Sequence, residues 1–135
     1  MGTTRYTVNA KNSVKQLINQ ECFLIQGEHF NVEIKHTFRG SGGYLGEHNW
    51  CLYVVIGTEH RKSRRARAAK YDYDTDLGDK IYPDWHGGCT YYNKQKTYVK
   101  IGCDYNHSGD EYYSHCDKLP REILEDAEKL YRFFE

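Results

Sequence analysis

Apolar and polar residues alternate without a break from Phe30 to Phe38 (Phe30-Asn31-Val32-Glu33-Ile34-Lys35-His36-Thr37-Phe38). A period of two puts every second side chain on the same side of an extended chain, so this segment predicts a strand with one wet face. Trp50-Cys51-Leu52-Tyr53-Val54-Val55-Ile56 is apolar on both parities and rich in β-branched residues. That pattern predicts a central strand covered on both sides. After Pro120 the period changes: Ile123, Leu124, Ala127, Leu130, Tyr131 and Phe134 recur at helical spacing. Pro120 suits a first helical turn, where its missing N–H would be unpaired anyway, and Glu125 precedes Lys129 in the favourable i,i+4 order.

Shorter strands are predicted at Tyr6–Val8, Cys22–Ile25, Cys89–Tyr92 and Thr97–Ile101, the last two joined by Asn93-Lys94-Gln95-Lys96 as a hairpin. Ser13-Val14-Lys15-Gln16-Leu17-Ile18 is amphipathic enough for one or two turns of helix. The fold class expected is α+β, an antiparallel β-sheet covered on one face by a C-terminal α-helix, in a single domain over residues 1–135. Two stretches follow neither period: the glycine-rich loop Arg39–Gly46, and the span from Gly57 to Asp84. The second is long for a loop in a compact domain and divides by charge, basic over Arg61–Arg67, then acidic at Asp72, Asp74, Asp76 and Asp79.

Composition adds mainly exclusions. Lys plus Arg number 19 and Asp plus Glu number 19, so no global field draws the chain to long nucleic acid or an anionic membrane. No run of about 18 apolar residues provides a membrane span. The opening Met1-Gly2-Thr3-Thr4-Arg5-Tyr6 lacks the charged-then-apolar order of a secretory signal, so the expected location is cytoplasmic. Five cysteines with no C-x-x-C pair argue against a disulfide framework or a zinc knuckle and are expected to be reduced.

The chemistry gathers in two glycine-flanked segments, Trp85-His86-Gly87-Gly88-Cys89 and Gly102-Cys103-Asp104-Tyr105-Asn106-His107-Ser108-Gly109-Asp110. If the hairpin pairs as proposed, the two meet at one sheet edge. His86, His107, Asp104 and Asp110 then offer N and O donors suited to zinc, manganese or iron with an open position for water, which would serve phosphoester hydrolysis. The same residues also suit a metal-free cradle. Gly87 and Gly88 would present N–H groups to a phosphate, His86 or Arg39 would add charge, and Trp85 or Tyr105 would stack on a base. A plain tight turn accounts for the glycine pair as well. The basic run is either a solvated loop or a phosphate clamp, and His60 beside it either a ligand contact or a surface residue.

Together these segments resemble small proteins of bacteriophages and prophages that carry a His-Gly-Gly-x-Thr-aromatic segment followed by a Gly-aromatic-Asp-x-x-His-x-x-Asp loop. The resemblance covers roughly residues 50 to 134, and would place ligand-binding status on His60, His86, Gly87, Gly88, Asp104, His107 and Asp110. Cys103 stands where the pattern has an aromatic. The resemblance implies a cytoplasmic location in an infected bacterial host, a likeness to homo-oligomeric sponges, and a role in immune evasion. The leading function it implies is sequestration of a nucleotide-derived second messenger; the alternatives are metal-dependent phosphodiester cleavage of such a nucleotide by His86, Asp104, His107 and Asp110, and direct inhibition of a host protein through the charged loop from His60 to Asp79.

Overall fold

The computed structural model describes residues 6–13, 18–38, 47–69 and 81–135. Six strands form one sheet: β1 (Tyr6–Ser13), β2 (Ile18–Gln26), β3 (Phe30–Phe38), β4 (His48–Gly57), β5 (Tyr91–Lys94) and β6 (Tyr98–Asp104). Their order is β1-β2-β3-β4-β6-β5, and every neighbouring pair is antiparallel. Among the described residues the helices α1 (Ser63–Ala68), α2 (Glu111–Ser114) and α3 (Arg121–Phe134) accompany them.

The alternation read in β3 is the alternation found. Phe30, Val32, Ile34 and His36 are buried, and the residues between them are half-buried. Register sets Val32 against Val54 and Ile34 against Leu52, and Val54 against Ile101, so one face of the central strands is a continuous apolar surface. Helix α3 covers it with Ile123, Ala127, Leu130, Tyr131 and Phe134. The α+β class, with an antiparallel sheet under a C-terminal helix, is therefore what the chain adopts.

Helix α1 lies on the same side, because Tyr92, the register partner of Ile101, donates to the carbonyls of Ala66 at 2.7 Å and Ala69 at 3.0 Å. The expected cover on the second face of β4 is not found among the described residues. Cys51, Tyr53 and Val55 are half-buried there by long neighbours. Lys100 lies 4.3 Å from the centroid of the Tyr53 ring and pairs with Glu33 at 3.2 Å.

Other expectations change in detail. Ser13 ends β1 and Ile18 opens β2, so these residues belong to a strand pair and not to a short helix; residues 14–17 lie outside the described residues. Pro120 is the residue before the helix, accepting from the Leu124 N–H at 3.1 Å. Lys129 pairs with Asp84 at 3.0 Å, and Glu125 pairs with Arg121 at 2.9 Å, in place of the Glu125–Lys129 pair. The basic run, expected as loop, contains α1. Its cations are partly occupied within the fold: Arg61 donates to the carbonyl of Phe134, Arg67 to that of Gln95, and Lys62 sits over the Phe133 ring. The four aspartates after it, like Arg39 and the rest of the glycine-rich loop, lie outside the described residues. All five cysteines are free thiols. Among the described residues no helix is long and apolar enough to cross a membrane.

Candidate metal centre

The β5–β6 hairpin brings the two glycine-flanked segments together. Tyr91 pairs with Gly102, and the Thr90 N–H extends that ladder by bonding the Gly102 carbonyl at 2.9 Å. The chain entering β5 through residues 85–90 therefore runs beside the chain leaving β6 through residues 104–110. His86 and His107 end with ring centroids 5.8 Å apart.

Asp110 joins them. Its Oδ1 lies 2.8 Å from His86 Nε2, while its Oδ2 accepts from the backbone N–H of His107 at 2.9 Å and lies 3.2 Å from His107 Nδ1. The residue is only 7% exposed. Burial pushes its carboxyl pKa up, but the His107 N–H and the two imidazoles outweigh that and hold it below the ordinary carboxylate value. One donor atom each from His86, His107 and Asp110 falls within 4.8 Å of the others.

Each imidazole has its own support. His86 stacks on Tyr105 with centroids 4.3 Å apart and planes 19° apart, and Tyr113 meets it edge-on. Tyr105 is itself buried and donates its hydroxyl to Asp126 of α3 at 2.7 Å. The sheet, through Tyr105, and the covering helix thus fix the plane of His86. On the far side of His107, Nε2 lies 3.6 Å from Asp104 Oδ1. Asp104 is held in turn by the Asn106 N–H at 3.1 Å and the Thr90 hydroxyl at 3.2 Å. Asp104 is thus an ion-pair neighbour on the outer edge of His107, and the three-residue cluster does not include it.

The glycines serve this packing. Gly87 has φ +68°, and a Cβ there would come within 2.6 Å of His107 Cε1. The bare backbone is bare because an imidazole lies against it. Gly88 has φ +91°, and its N–H bonds the Trp85 carbonyl at 3.1 Å. That donor closes a turn and is not held out to a phosphate.

Several sequence candidates lie elsewhere. Trp85 is buried in the core, edge-on to Tyr82, and Tyr105 stacks on His86, so neither ring is presented to a base. His60 is at the opposite end of the sheet, beyond the Gly57–Tyr98 register pair. There its Nε2 donates to the Phe134 carbonyl at 2.8 Å while Nδ1 accepts from the Lys62 N–H at 3.0 Å. It clasps the end of β4 to the end of α3, beside a cavity of about 240 Å³. Cys103 is buried, which pushes its thiol pKa far up and leaves no thiolate for nucleophilic attack. Asp126 was not legible as a site residue, since a polar position on an amphipathic helix carries no mark of the tyrosine it will meet.

The donor set fits a divalent ion. Bonds of about 2.0–2.1 Å to N and O ligands imply ligand-to-ligand edges of about 2.9 Å in octahedral and about 3.3 Å in tetrahedral coordination. The 2.8 and 3.2 Å contacts run to different oxygens of Asp110, and the three donor atoms, one from each residue, lie within 4.8 Å of one another, so an ion would draw the two imidazoles inward to reach these edges. Two imidazoles and one carboxylate leave further positions open, as in catalytic zinc and non-haem iron sites. Compared with protein-family models, with curated proteins and with solved structures, the chain finds no significant match in any of the three.

Proposed function

We propose that His86, His107 and Asp110 hold one divalent metal ion, and that the protein uses it to cleave a phosphodiester of a small nucleotide. The convergence of three donor atoms within 4.8 Å, one of them on a buried carboxylate, carries this reading. An ion in this site supplies Lewis acidity and lowers the pKa of bound water.

The chain's own residues do the rest. Asp110 brings the negative charge that a divalent ion requires, with its Oδ2 fixed by the His107 N–H. Asp104 faces the Nε2 edge of His107, so ligation through Nδ1 leaves an Nε2–H directed at a carboxylate, the arrangement that fixes tautomer and raises ligand basicity. Tyr105 keeps the His86 ring in plane. The nucleotide as substrate, and a phage protein disarming a bacterial immune messenger as its setting, rest on the motif resemblance alone.

One observation favours capture without turnover. Tyr112, adjacent to the Tyr113 ring that borders His86, is 62% exposed and offers a face on which a base can stack. A single experiment covers both readings. Purified protein is assayed for bound zinc, manganese and iron, incubated with a panel of cyclic nucleotides and ADP-ribose derivatives, then denatured and chromatographed. Bound metal with cleaved nucleotide supports hydrolysis, and intact nucleotide released on denaturation supports capture. Absence of metal from protein refolded with each ion overturns the metal centre.

A further inference from the structure

A second histidine cluster sits at the same end of the sheet. Register places Glu21 of β2 beside His36 of β3, and His36 beside Trp50 of β4. His48, two residues before Trp50, projects on the same face. His36 Nδ1 lies 3.0 Å from Glu21 Oε1, and His36 Nε2 lies 2.8 Å from His48 Nδ1. The His36 ring is 4% exposed and stacks on Trp50 at 4.0 Å between centroids, with planes 9° apart. The indole N–H bonds the Cys116 carbonyl at 3.1 Å, which holds this stack under the segment that follows α2.

The hydrogen-bond roles are determined by chemistry. Glu21, a carboxylate, can only accept, so the His36 proton sits on Nδ1 and the lone pair on Nε2. His48 Nδ1 then donates to that lone pair. A carboxylate that fixes one imidazole nitrogen while the other points at a second imidazole is the outer arrangement of a histidine metal ligand. We propose that His36 Nε2 and His48 Nδ1 chelate one borderline divalent ion of the zinc, nickel or copper type, separate from the Asp110 centre. Entry of the ion displaces the proton between the two rings. His48 shifts its proton to Nε2, and the 2.8 Å contact opens to the roughly 3.3 Å of a tetrahedral edge.

The two centres are distinct. The Tyr105 N–H bonds the Trp50 carbonyl, so His36 and Tyr105 lie two strands apart, or about 10 Å. The Zn²⁺ stoichiometry of the variants separates two ions from one shared site. An ion at His36 and His48 would tie β3 to β4 where the chain leaves for residues 39–46, an anchoring role apart from the chemistry proposed at Asp110.

The test is calorimetric titration of the full chain with Zn²⁺, comparing wild type, His48→Ala, His107→Ala and the double variant. His48 is half-exposed and leaves the His36–Trp50 stack in place. Two ions are expected for wild type, one for each single variant and none for the double variant. One ion in His107→Ala that is lost in the double variant supports this site even if the Asp110 centre fails. Equal stoichiometry and affinity in wild type and His48→Ala overturns it. Cu²⁺ quenching in the His107→Ala background gives a second readout, because Trp50 stacks on a proposed ligand. Adding His48→Ala should weaken the quenching midpoint at least tenfold, and an unchanged midpoint contradicts the proposal.

Discussion

The ring of His107 occupies the space in which a side chain on residue 87 would stand. A Cβ on Gly87 would lie 2.6 Å from His107 Cε1 and 2.8 Å from its Nδ1, and residue 87 holds φ +68°. Gly87→Ala therefore both strains a left-handed residue, by about 1–2 kcal/mol, and drives the imidazole away from Asp110. Zinc affinity measured by competition with a chromophoric chelator should fall at least tenfold while the melting temperature drops by only a few degrees. Unchanged affinity would mean that this contact does not position His107.

Asp110 makes the acid limb of stability predictable. Its folded pKa lies below the ordinary 3.8, on balance through the His107 N–H and the two imidazoles. A carboxylate with a depressed folded pKa contributes stability that is present above the unfolded value. That stability is lost as pH falls through the folded one. Asp110→Asn should therefore be less stable than wild type at pH 7 and show a shallower decline below about pH 4, read from urea midpoints. Parallel wild-type and variant curves would contradict this role.

His60 gives the opposite kind of prediction, a structural loss without a functional one. Removing its bond leaves the Phe134 carbonyl to Arg61 alone and should cost about 0.5–1.5 kcal/mol in His60→Ala, with metal stoichiometry unchanged. Burial, with the neighbouring cations Arg61 and Lys62 adding to it, lowers its pKa from 6.5. The neutral ring is thus favoured in the fold. Stability from this site is full above about pH 6.5, declines as pH falls toward the lowered folded value, and levels off below it. A melting profile between pH 8 and 5 that His60→Ala leaves unaltered would remove the clasp from the account.

Two leucines of one helix test the packing. Leu130 is fully buried on the inner face of α3, whereas Leu124 is half-buried. Leu130→Ala should cost about 2–5 kcal/mol, and Leu124→Ala markedly less, by chemical denaturation. Equal costs would mean that α3 is rotated from the position described.

Where a local period decided the outcome, the sequence was sufficient: β3 alternates as read, and α3 presents the predicted stripe except at Leu124, which is half-buried at its margin. The hairpin that joins the two glycine-flanked loops was also legible, and with it the meeting of His86, His107 and Asp110. Long-range register was not. Nothing in the order of residues says that Glu21 will stand beside His36, or that His48 will reach its Nε2, because those contacts depend on how β2, β3 and β4 align. Helix α1 was hidden in a run of arginines whose inward positions are Ser63 and Ala66, too small to give a period. Of the two readings of the glycine pair, the tight turn is the one found, and the sequence could not choose between them because a residue without Cβ admits a neighbour's ring as readily as a ligand.

The central claim, that His86, His107 and Asp110 bind one ion together, is tested most directly by ¹⁵N spectra of the imidazoles during Zn²⁺ titration of His48→Ala protein. The account predicts that His86 Nε2 and His107 Nδ1 move together and saturate at one equivalent, and that Asp110→Asn abolishes both changes. Movement of only one ring, or none at saturation, would contradict it.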